Sequence, residues 1–266
     1  MRKDFFLFGV TLILAVVSLS CRIPVSFLIR DRGEGMNETE SWQSEVDAIK
    51  SITRSQAIPS FLTNPEVPQA GEVFDPNQLL IPLDHLSLES GYTLDFVYRY
   101  DGIGGRPFIY ARKLADPPFE NYAAFIEATQ DGSQYLDFVI TDGTDEGYFQ
   151  WVLLSRMGDQ FYLYWHSGYN DAEIIASRSH LESVVEEMST TEFGINFTAL
   201  QKRQALKIQP APNVEVGDET VNIHVVWFTK WGGFYEDCYT LSRSTPHRIL
   251  DLETTNLVDY DCGILF

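Results

Sequence analysis

Between residues 92 and 100 apolar and polar side chains alternate. Tyr92, Leu94, Phe96, Tyr98 and Tyr100 fall on one side of an extended chain, and Thr93, Asp95 and Arg99 fall on the other, with only Val97 apolar among them. A period of two over this length predicts a half-buried strand, turning through Asp101–Gly105 into a second at Arg106–Lys113. Further apolar runs at Tyr122–Thr129, Gln134–Thr141, Tyr148–Met157 and Gln160–Ser167 are separated by Asp131-Gly132, by Asp142-Gly143 through Gly147, and by Gly158-Asp159. Those separators tolerate the backbone of tight antiparallel turns and leave no room for crossover helices, so the runs predict a meander.

The pattern changes period twice. Trp42, Val46, Ile49 and Ile52 recur every three or four residues and predict a short helix from Ser41. Ile174, Ile175, Arg178, Leu181, Val185 and Met188 predict a longer helix over Ala172–Met188, capped by Asn170 or Asp171. Between the first helix and the meander, Pro59, Pro65, Pro68, Pro76 and Pro82 interrupt regular structure. A polar connection, Thr190 to Asp218, holds a short helix near Leu200–Leu206. Val221–Trp231 and Phe234–Arg243 flank Gly232-Gly233 and predict a hairpin that sets Trp231 opposite Phe234 and Trp227 opposite Cys238. The fold class expected is α+β, mostly β: an antiparallel meander sheet with one amphipathic helix packed on it and a C-terminal β-hairpin.

The N-terminus adds an address. Arg2 and Lys3 precede an apolar run from Phe5 to Val17, and Ser18 and Ser20 lead to Cys21. A basic segment, a short apolar segment and small residues make the layout of an export signal. With a cysteine directly after it, the segment resembles a bacterial lipoprotein signal, although Leu19 stands one place nearer the cysteine than in the family pattern. The resemblance implies that residues 1–20 are removed, that Cys21 is acylated, and that the body sits in the cell envelope on the extracytoplasmic side. A retained helix, lengthened by the apolar patch Ile23–Ile29, or a plainly secreted form are the alternatives, and Arg2 and Lys3 hold the N-terminus inside in each. The expected organisation is a signal peptide over 1–20, a lipidated tether over 21–40, an irregular region with a short helix over 41–90, and an antiparallel α+β domain over 91–266.

Charge and cysteines narrow the options. The chain carries 19 Lys and Arg against 38 Asp and Glu, a net charge of −19. So acidic a body repels polyphosphate, and no basic stripe offsets it, so nucleic acid is excluded as a partner. In an oxidising compartment the two cysteines left after Cys21, Cys238 and Cys262, are expected to form a disulfide worth about 3.5 kcal/mol on the chain-entropy estimate.

Candidate chemistry concentrates at the segment running from Tyr162 to Asp171. Tyr164 and His166 share a strand face there, and Tyr169, Asn170 and Asp171 follow at the expected helix start, where free backbone N–H groups can meet an anion. No nucleophile elbow, phosphate loop, calcium loop or zinc spacing occurs elsewhere, so neither a catalytic set nor a metal or other cofactor is expected. Two functions remain. The first is a lipid-anchored, non-catalytic domain that binds a small ligand or an envelope protein through this segment or through a sheet face. The second is an extracytoplasmic hydrolase or modifying enzyme using His166 as base and Asp171 as its orienting partner.

Overall fold

The helical repeat of Trp42, Val46 and Ile49 is realised in α1 (Glu38–Arg54), which buries all three. The computed structural model describes residues 38–264 except 65, 130–133 and 193. The expected signal, Cys21 and most of the expected tether lie outside the described residues. After α1 come α2 (Ser60–Thr63), β1 (Leu86–Leu88), β2 (Tyr92–Tyr100), β3 (Gly104–Lys113), α3 (Tyr122–Thr129), β4 (Val139–Thr141), α4 (Asp145–Met157) and β5 (Tyr164–Trp165). The chain continues through β6 (Glu173–Ile175), α5 (Arg178–Thr190), α6 (Ala199–Ala205), β7 (Asn213–Val216), β8 (Thr220–Thr229), β9 (Gly233–Ser242) and β10 (Ile249–Asp259). The protein is α+β with antiparallel sheets. The strands form three of them: β10-β9-β8 with β6 and β7 both on the far edge of β8, the ribbon β2-β3 extended by β5, and the pair β1-β4.

The expected meander gives way to helices in its middle. Tyr122–Thr129 is α3, all of Tyr148–Met157 lies in α4, and Gln160–Ser167 keeps only the two residues of β5 as strand. In α4, Tyr148, Phe149, Gln150, Trp151, Val152, Leu153, Leu154 and Met157 are all buried. A helix buried all round has no polar face, and its sequence reads like a continuous buried strand. The Asp142–Gly147 segment is the start of this helix, not a hairpin end: the Thr144 hydroxyl accepts from Gly147 N at 3.0 Å, and Asp145 and Glu146 lie at the positive end of the dipole.

Two cores lie on opposite faces of the large sheet. On one, Val221, Ile223, Val225, Tyr239, Leu241 and Ile174 pack with α4 and α1, where Trp42 stacks on Phe149 at 5.0 Å. On the other, Val226, Phe228, Phe234 and Ile175 pack with Leu181, Val185 and Met188 of α5 and with Phe197 and Tyr260. Phe74, Leu79, Leu83 and Leu86 belong to the first core, so residues 41–90 pack into the same body as the strands and helices after them.

Three local expectations change. The longer helix starts at Arg178, capped by Ser177 and not by Asn170 or Asp171, because the adjacent β-branched Ile174 and Ile175 enter opposite cores, which only a strand allows. The hairpin forms, but its register is Thr229↔Gly233, Phe228↔Phe234 and His224↔Cys238. Lys230, Trp231 and Gly232 make the loop. Gly233, at φ +92, pairs against β10, where a Cβ would overlap the Val258 carbonyl. The disulfide is not formed: Cys238 and Cys262 are both thiols. Cys238 is paired with Glu253 on β10, nine residues before Cys262, whereas β10 ends beside Gly233 and Cys262 enters the second core. Over that length of strand the two Cα atoms are roughly 16 Å or more apart, beyond the 7 Å a disulfide spans.

Glu173, 6% exposed, ties the layers together. Its carboxylate takes Lys50 Nζ at 2.6 Å and Arg54 Nη1 at 3.1 Å from α1, and lies 2.8 Å from His180 Nε2 on α5. Burial pushes this carboxyl up, but the His180 and Lys50 contacts and the charges of Lys50 and Arg54 outweigh it and hold it down at about 2. The depressed value stabilises the fold above the ordinary carboxyl range, and that stability is lost as pH falls from about 4.5 to about 2. Urea unfolding at stepped pH is expected to show about 3 kcal/mol lost across this window in the parent and much less in Glu173→Gln.

Candidate functional site

The segment singled out in the sequence is held in an unusual backbone. Tyr162 (φ 53) and Trp165 (φ 49) are the non-glycine residues with positive φ among the described residues. Such conformations cost on the order of 1–3 kcal/mol each and persist where the surroundings impose them. Tyr162 is fixed at both ends: its hydroxyl accepts from Phe74 N at 3.0 Å, and its carbonyl accepts from the Tyr98 hydroxyl at 2.8 Å. The next turn is admitted by two glycines of β3. Gly105 pairs with Tyr164 and leaves room for the Tyr98 phenol, which a Cβ would overlap, and Gly104 pairs with Trp165 and lies against Ser167. Gly104 and Gly105 therefore serve close approach of the neighbouring chain.

This geometry pushes aromatic side chains outward. Trp165 is 73% exposed. Tyr164 is exposed and meets Tyr100 edge-on at 5.9 Å. His166 Nδ1 lies 3.0 Å from the Tyr169 hydroxyl, and Tyr169 meets Trp231 of the β8–β9 loop edge-on at 4.6 Å.

Beside them is a cleft of about 690 Å³, whose walls include Arg99, Arg106, Arg156, Asp159, His166, Tyr169, Asn170 and Tyr239. Arg99 and Arg106 are directly opposite one another on β2 and β3, a like-charge pair that disfavours the ribbon. Neither has an ion-pair partner among the described residues; Arg106 lies 4.5 Å over the Phe108 ring and Arg99 5.7 Å over Tyr122. Arg156 differs, being paired with the fully buried Asp237 and lying over the Trp227 ring at 4.4 Å. The one carboxylate in the wall is Asp159. Burial raises its carboxyl above the usual range, by more than the Asn170 amide bond (3.1 Å) and the charge of Arg106 lower it. The wall is thus weighted toward positive charge in a strongly acidic chain.

The site residues expected from sequence divide between two clefts. His166, Tyr169 and Asn170 line this one, with Tyr164 exposed on the same short turn. Asp171 lines a neighbouring cleft of about 590 Å³ with Lys50, Arg54, Glu173 and His180, and Asn170 borders both. The Asp171 carboxylate accepts from the Thr229 hydroxyl at 2.5 Å and from Lys230 N at 3.3 Å, so it anchors the hairpin loop. His166 and Asp171 therefore do not form the base–orienter pair that the enzyme alternative required. Sequence reading missed Arg99, Arg106 and Asp159. The signal available for the arginines was their equal distance from Asp101–Gly104, the four residues that make the turn and set Arg99 opposite Arg106.

Other hollows hold groups already committed to the fold. One of them, about 1020 Å³, is walled by Tyr110, Arg112, Phe119 and Phe125, and its Arg112 donates to Asp95 at 3.0 Å and to the Asp116 carbonyl at 2.8 Å. Near the start of α4, His85 Nδ1 lies 2.7 Å from Asp142, whose hydrogen bond raises the imidazole above its usual range. Burial carries the Glu45 carboxyl up to about 7, despite a hydrogen bond with Gln150 and the pull of His85. Asp142 also accepts from Thr144 N and its hydroxyl, so this network builds the helix start. Comparison with protein-family models, with curated proteins and with solved structures returns no match to this chain.

An exposed tryptophan at a positive φ is kept at a cost to the fold. Trp165→Gly is expected to leave the thermal midpoint unchanged or raise it by the equivalent of about 1 kcal/mol, read by calorimetry. A clear destabilisation would mean that Trp165 is needed for packing.

Proposed function

We propose that this chain is a non-catalytic binding domain that takes a small ligand, an anionic group joined to a planar apolar part, in the Arg99–Arg106–His166 cleft. The observation that carries the reading is the pair of cross-strand arginines, neither with an ion-pair partner among the described residues, facing a cleft in a chain of net charge −19. Arginine forks match carboxylate and phosphate oxygens in bidentate geometry, and Asn170, Ser167 and Tyr169 add neutral donors. Trp165, Tyr164 and Tyr169 supply exposed rings for the planar part. The summed field of the body repels anions in general, so such a site selects ligands small enough to be dominated by the local arginines. The domain is held at an extracytoplasmic membrane surface through acylated Cys21, a reading supported by the lipoprotein-like N-terminus.

The test is a tryptophan-fluorescence titration of the full chain, extracted from membranes, with phenyl phosphate, inorganic phosphate and phenol. Phenyl phosphate is expected to bind at least tenfold more tightly than either fragment, with affinity falling as salt rises. The Arg99→Gln, Arg106→Gln double variant is expected to lose at least tenfold in affinity. Equal affinity for phenol, or an unaffected double variant, overturns the ligand reading. The intact mass of the same preparation reports the anchor: a chain starting at an acylated Cys21 is expected, and a retained leader overturns the anchor while leaving the binding result to stand.

A further inference from the structure

Strand register brings three metal-binding side chains to one spot that no sequence spacing indicates. His224 on β8 is directly opposite Cys238 on β9, so both project from the same sheet face, and Glu236 lies two residues earlier on β9, on that face again. His224 Nδ1 is 3.1 Å from Cys238 Sγ. One donor atom from each of the three residues lies within 4.8 Å of the others, and all three side chains are half-buried. We propose that His224, Glu236 and Cys238 form a zinc site.

The chemistry selects the ion. A thiolate, an imidazole and a carboxylate are the donor set of borderline divalent metals. Calcium and magnesium, which require oxygen donors, are disfavoured by sulfur and nitrogen. Zinc sits about 2.0–2.3 Å from such donors in a tetrahedron, whose ligand atoms are separated by about 3–4 Å. The donors here already span nearly that spacing. Two ligands come from one strand and one from its hydrogen-bonded neighbour, so the pleat fixes their relative positions before any ion arrives. The ion replaces one proton: the Cys238 thiol gives up its hydrogen, the imidazole binds neutral, and the carboxylate binds ionised. The two charges of zinc are thereby neutralised by its ligands.

The surroundings fit a site with one position left open. The second core ends just before this point: Val226 and Phe228 of β8 and Phe234 of β9 are covered by α5, whereas beyond it on the same face Asn222 is exposed and Thr240 half-buried. In the same cross-strand row Glu253 of β10 stands opposite Cys238, and Asn213 of β7 stands opposite His224, both exposed. They set oxygen atoms on either side, with water free to take the fourth position. A thiol nucleophile activated by its histidine would need a substrate cleft, and none of the clefts at Arg106, Asp171 or Arg112 includes these residues.

Cobalt reports the site directly, because a thiolate–cobalt bond gives an intense near-ultraviolet charge-transfer band and a tetrahedral ion gives visible bands. Full chain, reduced and stripped of metal, is titrated with Co²⁺ and then displaced by Zn²⁺, with proton release followed by pH-stat. One ion per chain, the charge-transfer band, bleaching by zinc and about one proton released are expected. Cys238→Ser is expected to abolish the band, and His224→Asn and Glu236→Gln each to weaken zinc at least tenfold; Cys262→Ser is expected to change nothing. Glu236→Gln alters only a half-exposed side chain and keeps the test valid if Cys238→Ser fails to fold. The absence of a thiolate band, its survival in Cys238→Ser, or unchanged zinc affinity in Glu236→Gln overturns the proposal.

Discussion

The buried carboxylate of Glu173 is the contact on which the rest of the architecture turns. It belongs to a strand of three residues, β6, too short to hold a position by its own ladder. Its neighbours Ile174 and Ile175 plug the two cores, one each. The charge between them and the loop from β5 gathers Lys50 and Arg54 from α1 and His180 from α5. Arg54 also donates to Gln160 and to the Asp171 carbonyl, so the clamp reaches into the turn that carries the exposed aromatics. A buried ion cluster of this kind is weak evidence for stability in itself, since its desolvation offsets much of its attraction. Its consequence is geometric: it sets where helix, sheet and loop meet.

That meeting point explains how an acidic chain comes to hold a positively weighted cleft. Arg99 and Arg106 stand one pair before the end of the ribbon β2–β3, and the loop after β5 folds back over its glycines to bring His166, Tyr169 and Asn170 alongside. Gln43 of α1 steadies the opposite side by accepting from Ala176 N and Ser177 N, which fixes the exit from β6 into α5. The costs accepted here are visible: a like-charge cross-strand pair, a half-buried aspartate shifted toward its neutral form, and two residues at positive φ. Local conflicts of this kind collect where a fold serves something besides its own stability.

How much of this was legible beforehand depends on what each pattern encodes. The heptad-like repeat of α1 was readable because it buries one face, and alternation along β2 because Leu94, Phe96 and Tyr98 face the first core, although Val97 is buried on the other side with Tyr110 and Phe125. The hairpin of β8 and β9 was readable too, but its register slipped by three because Trp231 and Lys230 belong to the loop, and apolarity alone marked them as strand. Helix α4 was hidden by being apolar on every side, and β6 by an isoleucine pair that also suits a helix. The site was half visible. Residues close in sequence, from Tyr164 to Asn170, were marked by their chemistry, whereas Arg99, Arg106 and Asp159 join them only through tertiary packing. The same holds for His224, Glu236 and Cys238, which only register unites.

The central claim is that the Glu173 clamp sets the layers and the aromatic turn as one unit. Hydrogen–deuterium exchange of the parent and of Glu173→Gln at neutral pH measures this directly, peptide by peptide. The account predicts that α1, α5 and residues 160–171 lose protection together in the variant, while β8, β9 and β10 keep theirs. Loss confined to the end of α1, with the turn and α5 as slow to exchange as in the parent, would contradict it.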